Sequence, residues 1–487
     1  MGIGSISFIQ EPIGTTPQLP VITNWTPIVP YTAYQDDISG LYYFKFILEV
    51  RLDSSTGLLL GKLKQRRNGY ATDISSDKAR AIFDIRDIVN SQLQDTNANQ
   101  NDPTKTIHRL GVDEPGKPFS LNSDQVKGIY VKVYQEYSSA STDGPSEEES
   151  PSDADFRRYI AASLPLETVR GTEDFQETSF SAYQLNDSSA QFLSDVQKRK
   201  GGIEPKDNVY RNYVQDDDYH TIGFLNGYKE DPPGVLEDEF DSKLRYLWIR
   251  YYDANGNQID TPQDLSNKES AGGCKPAESD SELEFDTQRL LYVGCGPANL
   301  EAQSENTNAR PSNFTDWAYY KIYGQDAATN VISASYYFIK QDASCKGYKI
   351  RRLAWRNSLG CFDYFNFKMK STQTLDVTRD EYQTMIGKFD GKMYIYDNFE
   401  RGKIVRRTSA VLKETINTDW ISEQDAQLLE GLIMSTNVQI VENSDTTYTV
   451  PVLITDKNIV RKTSANDGVQ IQYTFKIEYA NPYNTNS

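Results

Sequence analysis

Apolar and polar side chains alternate along residues 41–52, and this period of two is the feature that most restricts the fold. The apolar face carries Tyr42, Phe44, Phe46, Leu48, Val50 and Leu52. Successive side chains of a strand point to opposite sides, so the pattern predicts a β-strand with one face on a core. The alternation returns at residues 129–137, and strand-like segments continue to the C-terminus. We therefore expect a mainly β fold of sandwich-like or barrel-like modules.

The length of 487 residues predicts about three domains. Composition changes along the chain divide it into five segments. These are an extended proline-rich arm (1–40), an N-terminal β-domain (41–140), an acidic flexible linker or loop (141–155), a middle β-domain with long insertions (156–345) and a C-terminal β-domain (346–487).

One or two short packed helices are expected within these β-domains. The sequence Ser422-Glu423-Gln424-Asp425 is similar to a capping box and predicts a helix at about 423–434. Asp84 is placed to cap a second, shorter helix that carries Ile85, Ile88 and Val89.

An aromatic hairpin is predicted at residues 353–367, with the sequence LAWRNSLGCFDYFNF. Gly360 supplies the positive φ that a tight turn needs. Aromatic residues lie on both faces of the second strand, which indicates burial on both sides, in a core or at a subunit boundary. We expect nine aromatic residues to act in packing and assembly: Trp355, Phe362, Tyr364, Phe365, Phe367, Tyr42, Phe44, Phe46 and Trp420.

The net charge of −18 disfavours a surface that grips nucleic acid. The two basic runs, 62–67 and 401–407, each border a strand, and we interpret them as protection of sheet edges or as salt-bridged contacts. The start of the chain lacks the pattern of a signal peptide, and no apolar run reaches the ~18 residues of a membrane span. We therefore expect assembly in a cytoplasm and no membrane partner.

Local motifs for catalysis, metal binding or cofactors are weak. The sequence from Asp253 to Asn257 is similar to the start of a calcium loop, but Gln258 stands where such a loop needs glycine, so a hairpin turn is favoured. Asp216, Asp217 and Asp218 precede His220, yet neighbouring side chains diverge, and a solvated loop is favoured. We predict no catalytic residue, no metal ligand and no cofactor.

Three stretches resemble structural proteins of tailed bacteriophages, of the kind found in tail, neck or baseplate assemblies of marine and Bacteroidetes-type phages. They read FKFILEVRL…GKLKQRR with AIFDIRDIV, then LAWRNSLGCFDYFNF, then NTDWISEQDAQLLEGLIMSTNVQIV with the closing strands that follow. Together they cover about a third of the chain, at both ends. Cys361 departs from the small residue, such as glycine, that the resemblance implies at that position.

The resemblance implies a virion component without enzymatic activity that assembles into a ring or collar. Its partners would be further copies of itself and other virion proteins, with tail fibres as an additional partner. DNA would pass nearby without specific binding. Two other classes stay open at this point: a tail-tip protein that binds a receptor or glycan, and a polysaccharide depolymerase.

Overall fold

The computed structural model describes most of the chain, and its elements group into two compact units. The described residues are 5–10, 21–22, 31–66, 78–93, 98–99, 102–113, 116–121, 125–160, 180–183, 185–199, 209–225, 244–259, 262–267, 290–303, 317–326, 328–341, 347–397, 399, 402–442, 449–460 and 471–481. Unit 1 comprises Met1–Lys340 with Asn357–Phe362, and unit 2 comprises Gln341–Arg356 with Asp363–Ser487.

Strands dominate both units. Those before residue 341 are β1 (Ile6–Gln10), β2 (Val21–Ile22), β3 (Tyr31–Gln35), β4 (Tyr42–Leu52), β5 (Leu59–Arg66), β6 (Ala79–Phe83), β7 (Ala98–Asn99), β8 (Asp102–Thr106), β9 (Phe119–Leu121), β10 (Val126–Ser138), β11 (Ser146–Ile160), β12 (Lys198–Arg199), β13 (Val209–Val214), β14 (Thr221–Leu225), β15 (Tyr246–Tyr252), β16 (Gln263–Ser266), β17 (Leu290–Gly294), β18 (Tyr319–Gln325) and β19 (Tyr336–Lys340). The later strands are β20 (Arg351–Arg356), β21 (Phe362–Phe367), β22 (Thr372–Gln383), β23 (Lys388–Phe389), β24 (Tyr394–Ile395), β25 (Lys403–Asn417), β26 (Val438–Val441), β27 (Thr449–Ile454) and β28 (Thr474–Tyr479).

Three α-helices accompany these strands in the described part of the chain: α1 (Arg86–Asn90), α2 (Pro297–Gln303) and α3 (Glu423–Met434). Two short 3₁₀ segments cover Ile107–Arg109 and Phe180–Tyr183. The expectation of a mainly β protein is confirmed, with three short α-helices in the described ranges where one or two were expected. None of the helices in the described ranges has the length and apolar character needed to cross a membrane.

The first part of unit 1 has the character of a β-sandwich. One sheet has the order β1-β3-β6, and a second has the order β2-β11-β10-β4-β5. Side chains of both sheets share one apolar core, which includes Ile6 and Tyr31 from the first sheet and Phe46, Leu48 and Val131 from the second. The alternation that predicted strand β4 therefore marks its core face.

Two expectations for this region differ from the structure. Segment 1–40 was expected to be an extended arm, but Ile6–Gln10 and Tyr31–Gln35 are strands of the first sheet, because their apolar side chains enter its core. The prolines of this segment lie outside the described residues. Segment 141–155 was expected to be a flexible loop, but Ser146–Ile160 is a strand paired antiparallel with β10.

Lysine side chains explain how the acidic strand β11 is accommodated. Lys62 and Lys64 of β5 reach Glu147, at 3.3 and 2.8 Å, and Lys132 of β10 reaches Glu149 at 2.8 Å. The charges that suggested a solvated loop are thus partly balanced across the sheet. The basic run 62–67 lies on edge strand β5 for residues 62–66, and Arg67 is outside the described residues.

The rest of unit 1 contains two further principal sheets. A six-stranded sheet has the order β12-β13-β19-β18-β15-β16, and a three-stranded sheet has the order β14-β17-β9. Segments 41–140 and 156–340 both fall within unit 1, and their division into two domains stays a prediction.

Unit 2 is built on a seven-stranded sheet with the order β21-β20-β26-β27-β28-β25-β22. Helix α3 begins as predicted: the Ser422 hydroxyl accepts a hydrogen bond from the Asp425 amide, and the Asp425 carboxylate accepts one from the Ser422 amide. Leu428, Leu429 and Leu432 are buried on its apolar side. Helix α1 also forms, at Arg86–Asn90, although Ile85 rather than Asp84 is its N-cap residue.

Candidate functional site: a projecting hairpin

The most conspicuous surface feature of unit 2 is a long two-stranded hairpin, residues 372–417, which we call the projecting hairpin. Strands β22 and β25 pair antiparallel from Thr372↔Thr415 to Gln383↔Lys403. Strand β25 pairs with β28 only from Lys413 to Asn417, so residues 403–412 have β22 as their sole described strand neighbour. The 12 residues of β22 extend over about 40 Å.

Most described residues of the projecting hairpin between 372 and 407 are open to solvent. Every residue of β22 is exposed, as are both short tip strands, β23 and β24. Isolated two-stranded hairpins are marginally stable in water, because neither face is buried. The outer part of the projecting hairpin therefore has little buried surface of its own.

The tip of the projecting hairpin, residues 385–399, carries a dense set of exposed apolar side chains. Of the 24 large hydrophobic residues exposed in the described part of the chain, 12 lie between residues 375 and 405. Those of the tip are Met385, Ile386, Phe389, Met393, Tyr394, Ile395, Tyr396 and Phe399. Phe389 is 68% exposed, and Phe399 is 80% exposed. Clustered apolar exposure of this kind marks interaction sites.

Local interactions fix the conformation of the tip. Gly387 and Gly391 have φ values of 94° and 99°, which other residues rarely adopt. The Asp390 carboxylate accepts hydrogen bonds from the amides of Lys392, at 3.0 Å, and Met393, at 2.9 Å. These amide bonds lower the pKa of the Asp390 carboxyl below its ordinary value. The apolar side chains are thus displayed on a defined turn.

A buried polar network holds the base of the projecting hairpin. Arg351 of β20 donates through Nε to Glu414 Oε1 at 2.8 Å, and the Tyr479 hydroxyl donates to Glu414 Oε2 at 2.7 Å. Gln373 of β22 donates to the same carboxylate at 3.1 Å. Burial would raise the pKa of Glu414, but these hydrogen bonds outweigh it and the pKa is lowered. The base of the projecting hairpin is therefore buried and hydrogen-bonded, whereas its tip is exposed.

The nine aromatic residues expected to act in packing divide by burial. Trp355, Phe362, Tyr364, Phe367 and Phe46 are buried, and Phe365 and Phe44 are half-buried. Tyr42 and Trp420 are exposed, at 46% and 57%. Tyr43 has a φ of 58°, and the register of β4 against β10 shifts beside it, which removes Tyr42 from the core face. The assembly role of these residues stays a prediction.

The turn of the aromatic hairpin, Asn357–Phe362, belongs to unit 1 and is held by polar side chains. Asn357 Oδ1 accepts from the amides of Leu359, at 3.1 Å, and Cys361, at 2.9 Å. Gly360 has the expected positive φ, 82°. Ser358 donates through its hydroxyl to Asp195 at 2.7 Å. Burial raises the pKa of the Asp195 carboxyl, against the effect of the bonds from Ser358.

The other motifs form no reactive cluster. Residues 253–257 form a turn in which the Asp253 carboxylate accepts from the amides of Asn255 and Asn257, as the hairpin interpretation predicts. Asp216 pairs with Lys340 at 2.8 Å, whereas Asp218 is buried and caps the Gln215 amide. In the described ranges, no three histidine, cysteine or acidic side chains are close enough to hold a metal ion.

The sequence patterns did not predict strand β22 and therefore did not predict the projecting hairpin. One feature of the sequence could have indicated the hairpin turn. Gly387 and Gly391 lie close together between two long, mostly polar stretches. No protein-family model matches the chain, and no curated protein matches it significantly.

Proposed function

We propose that this chain is a non-enzymatic structural component of a bacteriophage virion, part of a ring or collar of the tail, neck or baseplate. In this proposal the projecting hairpin docks on a neighbouring copy of the chain. The observation that carries the proposal is the exposed apolar tip at residues 385–399. The resemblance of both ends of the chain to phage structural proteins supplies the biological setting.

The chemistry of the projecting hairpin suits a protein partner. A tip of phenylalanine, tyrosine, methionine and isoleucine side chains matches the composition of interface cores, which are rich in aromatic residues and methionine and poor in charge. Strand β22 is also an edge of the seven-stranded sheet, and such an edge pairs readily with a strand of another chain. Both features favour assembly over catalysis.

The charge distribution favours another copy as the partner. Residues 372–417 contain eight lysine and arginine residues and seven acidic residues, so the net charge is 8 − 7 = +1. The whole chain carries −18, so the remainder carries −18 − 1 = −19. A slightly basic hairpin is attracted to the acidic remainder of a second copy, whereas two acidic surfaces repel each other.

Mass measurement and imaging test the proposal. Light scattering and negative-stain images of the purified chain should show concentration-dependent multimers or closed rings. A Phe389→Ser, Met393→Ser double variant should remain monomeric, because it removes apolar tip side chains that make no core contact. Leu58→Ser is the matched control, since Leu58 is 68% exposed but lies in unit 1.

The outcome that overturns the proposal is equally definite. A wild-type chain that stays monomeric up to high concentration, and that is absent from purified phage particles, is not a ring component. Multimers that survive the double variant unchanged would show that the projecting hairpin is not their interface.

A further inference from the structure

The six-stranded sheet of unit 1 presents a face on which cations alternate with aromatic rings. Cross-strand pairs Arg211↔Tyr337, Tyr337↔Lys321 and Lys321↔Arg250 place these residues in a single row across β13, β19, β18 and β15. We call this line the cation row. Its three basic residues come from strands that are far apart in the sequence. For that reason they do not form a run of basic residues that the sequence would show.

Aromatic side chains flank the cation row on both sides. On one side, Tyr252 and Tyr319 are cross-strand neighbours whose rings stack with centroids 4.9 Å apart and planes 9° apart. On the other side, Tyr323 and Trp248 are cross-strand neighbours. Rings and cations thus alternate in two directions across this face of the sheet, on which Tyr319, Tyr323 and Tyr337 are buried. Asp264 lies opposite Trp248 at one end of the face.

The cations contact the faces of these rings. The Lys321 ammonium lies 5.8 Å from the Tyr252 ring centre and 5.9 Å from that of Tyr323, and the Arg250 guanidinium lies 5.3 Å from the Tyr323 ring centre. Such contacts orient the basic groups without neutralising them.

The cation row also lacks acidic partners. Within the described ranges, no ion pair involves Arg211, Lys321 or Arg250, although the chain carries 69 acidic residues. Lys321 and Arg250 lie directly opposite each other, an arrangement of like charges that is unfavourable in a sheet. Arg211 is only 7% exposed, and its Nη2 has no hydrogen-bond partner. An unbalanced row of this kind indicates a site for an anionic ligand.

The aromatic rings beside the cation row indicate which class of anionic ligand would bind there. Proteins that bind single-stranded nucleic acid combine a basic surface that follows the phosphates with aromatic side chains on which the bases stack. Open sheet faces with exposed aromatic residues serve this purpose in RNA-binding domains. Tyr213, Trp248, Tyr252 and Lys321 are half-buried, so parts of their side chains lie at the surface.

We infer that the cation row and its flanking rings form a binding face for single-stranded nucleic acid. This inference is independent of the projecting hairpin and of the proposed assembly function. The net charge of −18 argues against nucleic-acid binding by the chain as a whole, whereas this inference rests on a local row of basic groups.

Fluorescence anisotropy of the full chain tests the inference with labelled oligo(dT) and oligo(rU). Each probe should exceed the roughly 4–16 nucleotides that one such surface accommodates. Binding should weaken with salt, and three phosphate contacts predict a slope of log K against log salt of about −2. The Lys321→Gln variant should bind more weakly and reduce the slope by about 0.7. Tyr252→Ala should weaken binding with the slope unchanged.

Two controls separate this face from general charge effects. Lys457→Gln removes an exposed lysine of unit 2, and Tyr43→Ala removes an exposed tyrosine of strand β4; both should bind as wild type. A further comparison of oligo(dU) with oligo(rU), which differ only in the ribose 2′-hydroxyl, would show whether that hydroxyl is read.

Three results would overturn the inference. The first is no binding of either probe at low salt. The second is equal or tighter binding of a duplex of the same length or of polygalacturonate, which would indicate a site for polyanions or acidic glycans. The third is binding by Lys321→Gln and Tyr252→Ala that is indistinguishable from wild type.

Discussion

Arg351 and Glu414 form a buried ion pair at the base of the projecting hairpin, with Nε and Oε1 2.8 Å apart. The Glu414 side chain is fully buried, and that of Arg351 is 10% exposed. A second carboxylate, that of Glu442, lies 3.1 Å from Arg351 Nη1. The pair therefore connects strand β25 of the projecting hairpin to β20 within the seven-stranded sheet.

The acid stability of the chain should depend on Glu414. Its pKa is lowered in the folded state, so its contribution to stability is present above the unfolded value of about 4.3 and is lost as the pH falls through the folded value. Glu414→Gln should flatten the acid side of the stability profile, because the variant has no proton to take up. Chemical denaturation at a series of pH values measures this change.

At neutral pH the same Glu414→Gln variant should lower the free energy of unfolding by about 3 kcal/mol, because Arg351 keeps its charge in a buried site. Glu381→Gln is the control, since its ion pair with Lys403 is exposed on the stem of the projecting hairpin. Exposed pairs contribute less than about 1 kcal/mol. Equal losses of unfolding free energy in both variants would show that the buried pair contributes no more to stability than an exposed pair.

Position 223 of unit 1 should require a glycine, because the Cys361 side chain packs against it. A Cβ atom at Gly223 would lie 2.2 Å from Cys361 Sγ, so Gly223→Ala should destabilise the chain by about 1–3 kcal/mol. Adding Cys361→Gly should restore part of that loss by removing the clashing sulfur. Gly144→Ala, which meets no atom within 4 Å, is the control for thermal denaturation. An additive double variant would contradict this packing.

The capping box of helix α3 should contribute measurably to stability. Ser422→Ala removes the hydroxyl that accepts the Asp425 amide and should cost about 1 kcal/mol. Ser409→Ala, at an exposed position of the projecting hairpin, should leave the unfolding midpoint unchanged. A midpoint for Ser422→Ala that matches wild type would mean that solvent replaces the cap.

Local sequence patterns predicted the features that local physics determines. The alternation at residues 42–52, the capping box at Ser422 and the positive φ of Gly360 are set by neighbouring residues, and all three occur in the structure. These features do not depend on distant parts of the chain.

Long-range pairing was not predictable in the same way. The sequence of strand β11 is typical of an acidic loop. It forms a strand because it pairs with β10 and because lysines of β5 balance its charge. The cation row exists only when four strands align in register, and the projecting hairpin depends on pairing across a polar stretch with few apolar residues. Neither alignment of strands can be predicted from the composition of the sequence.

The most direct test of the assembly account is hydrogen exchange of the tip amides at low and high protein concentration. The account predicts that exchange in residues 385–399 slows at the concentration at which multimers form, while exchange around the exposed Leu58 does not change. Multimers that form while the tip amides exchange as fast as in the monomer would contradict the claim that the projecting hairpin is the docking element.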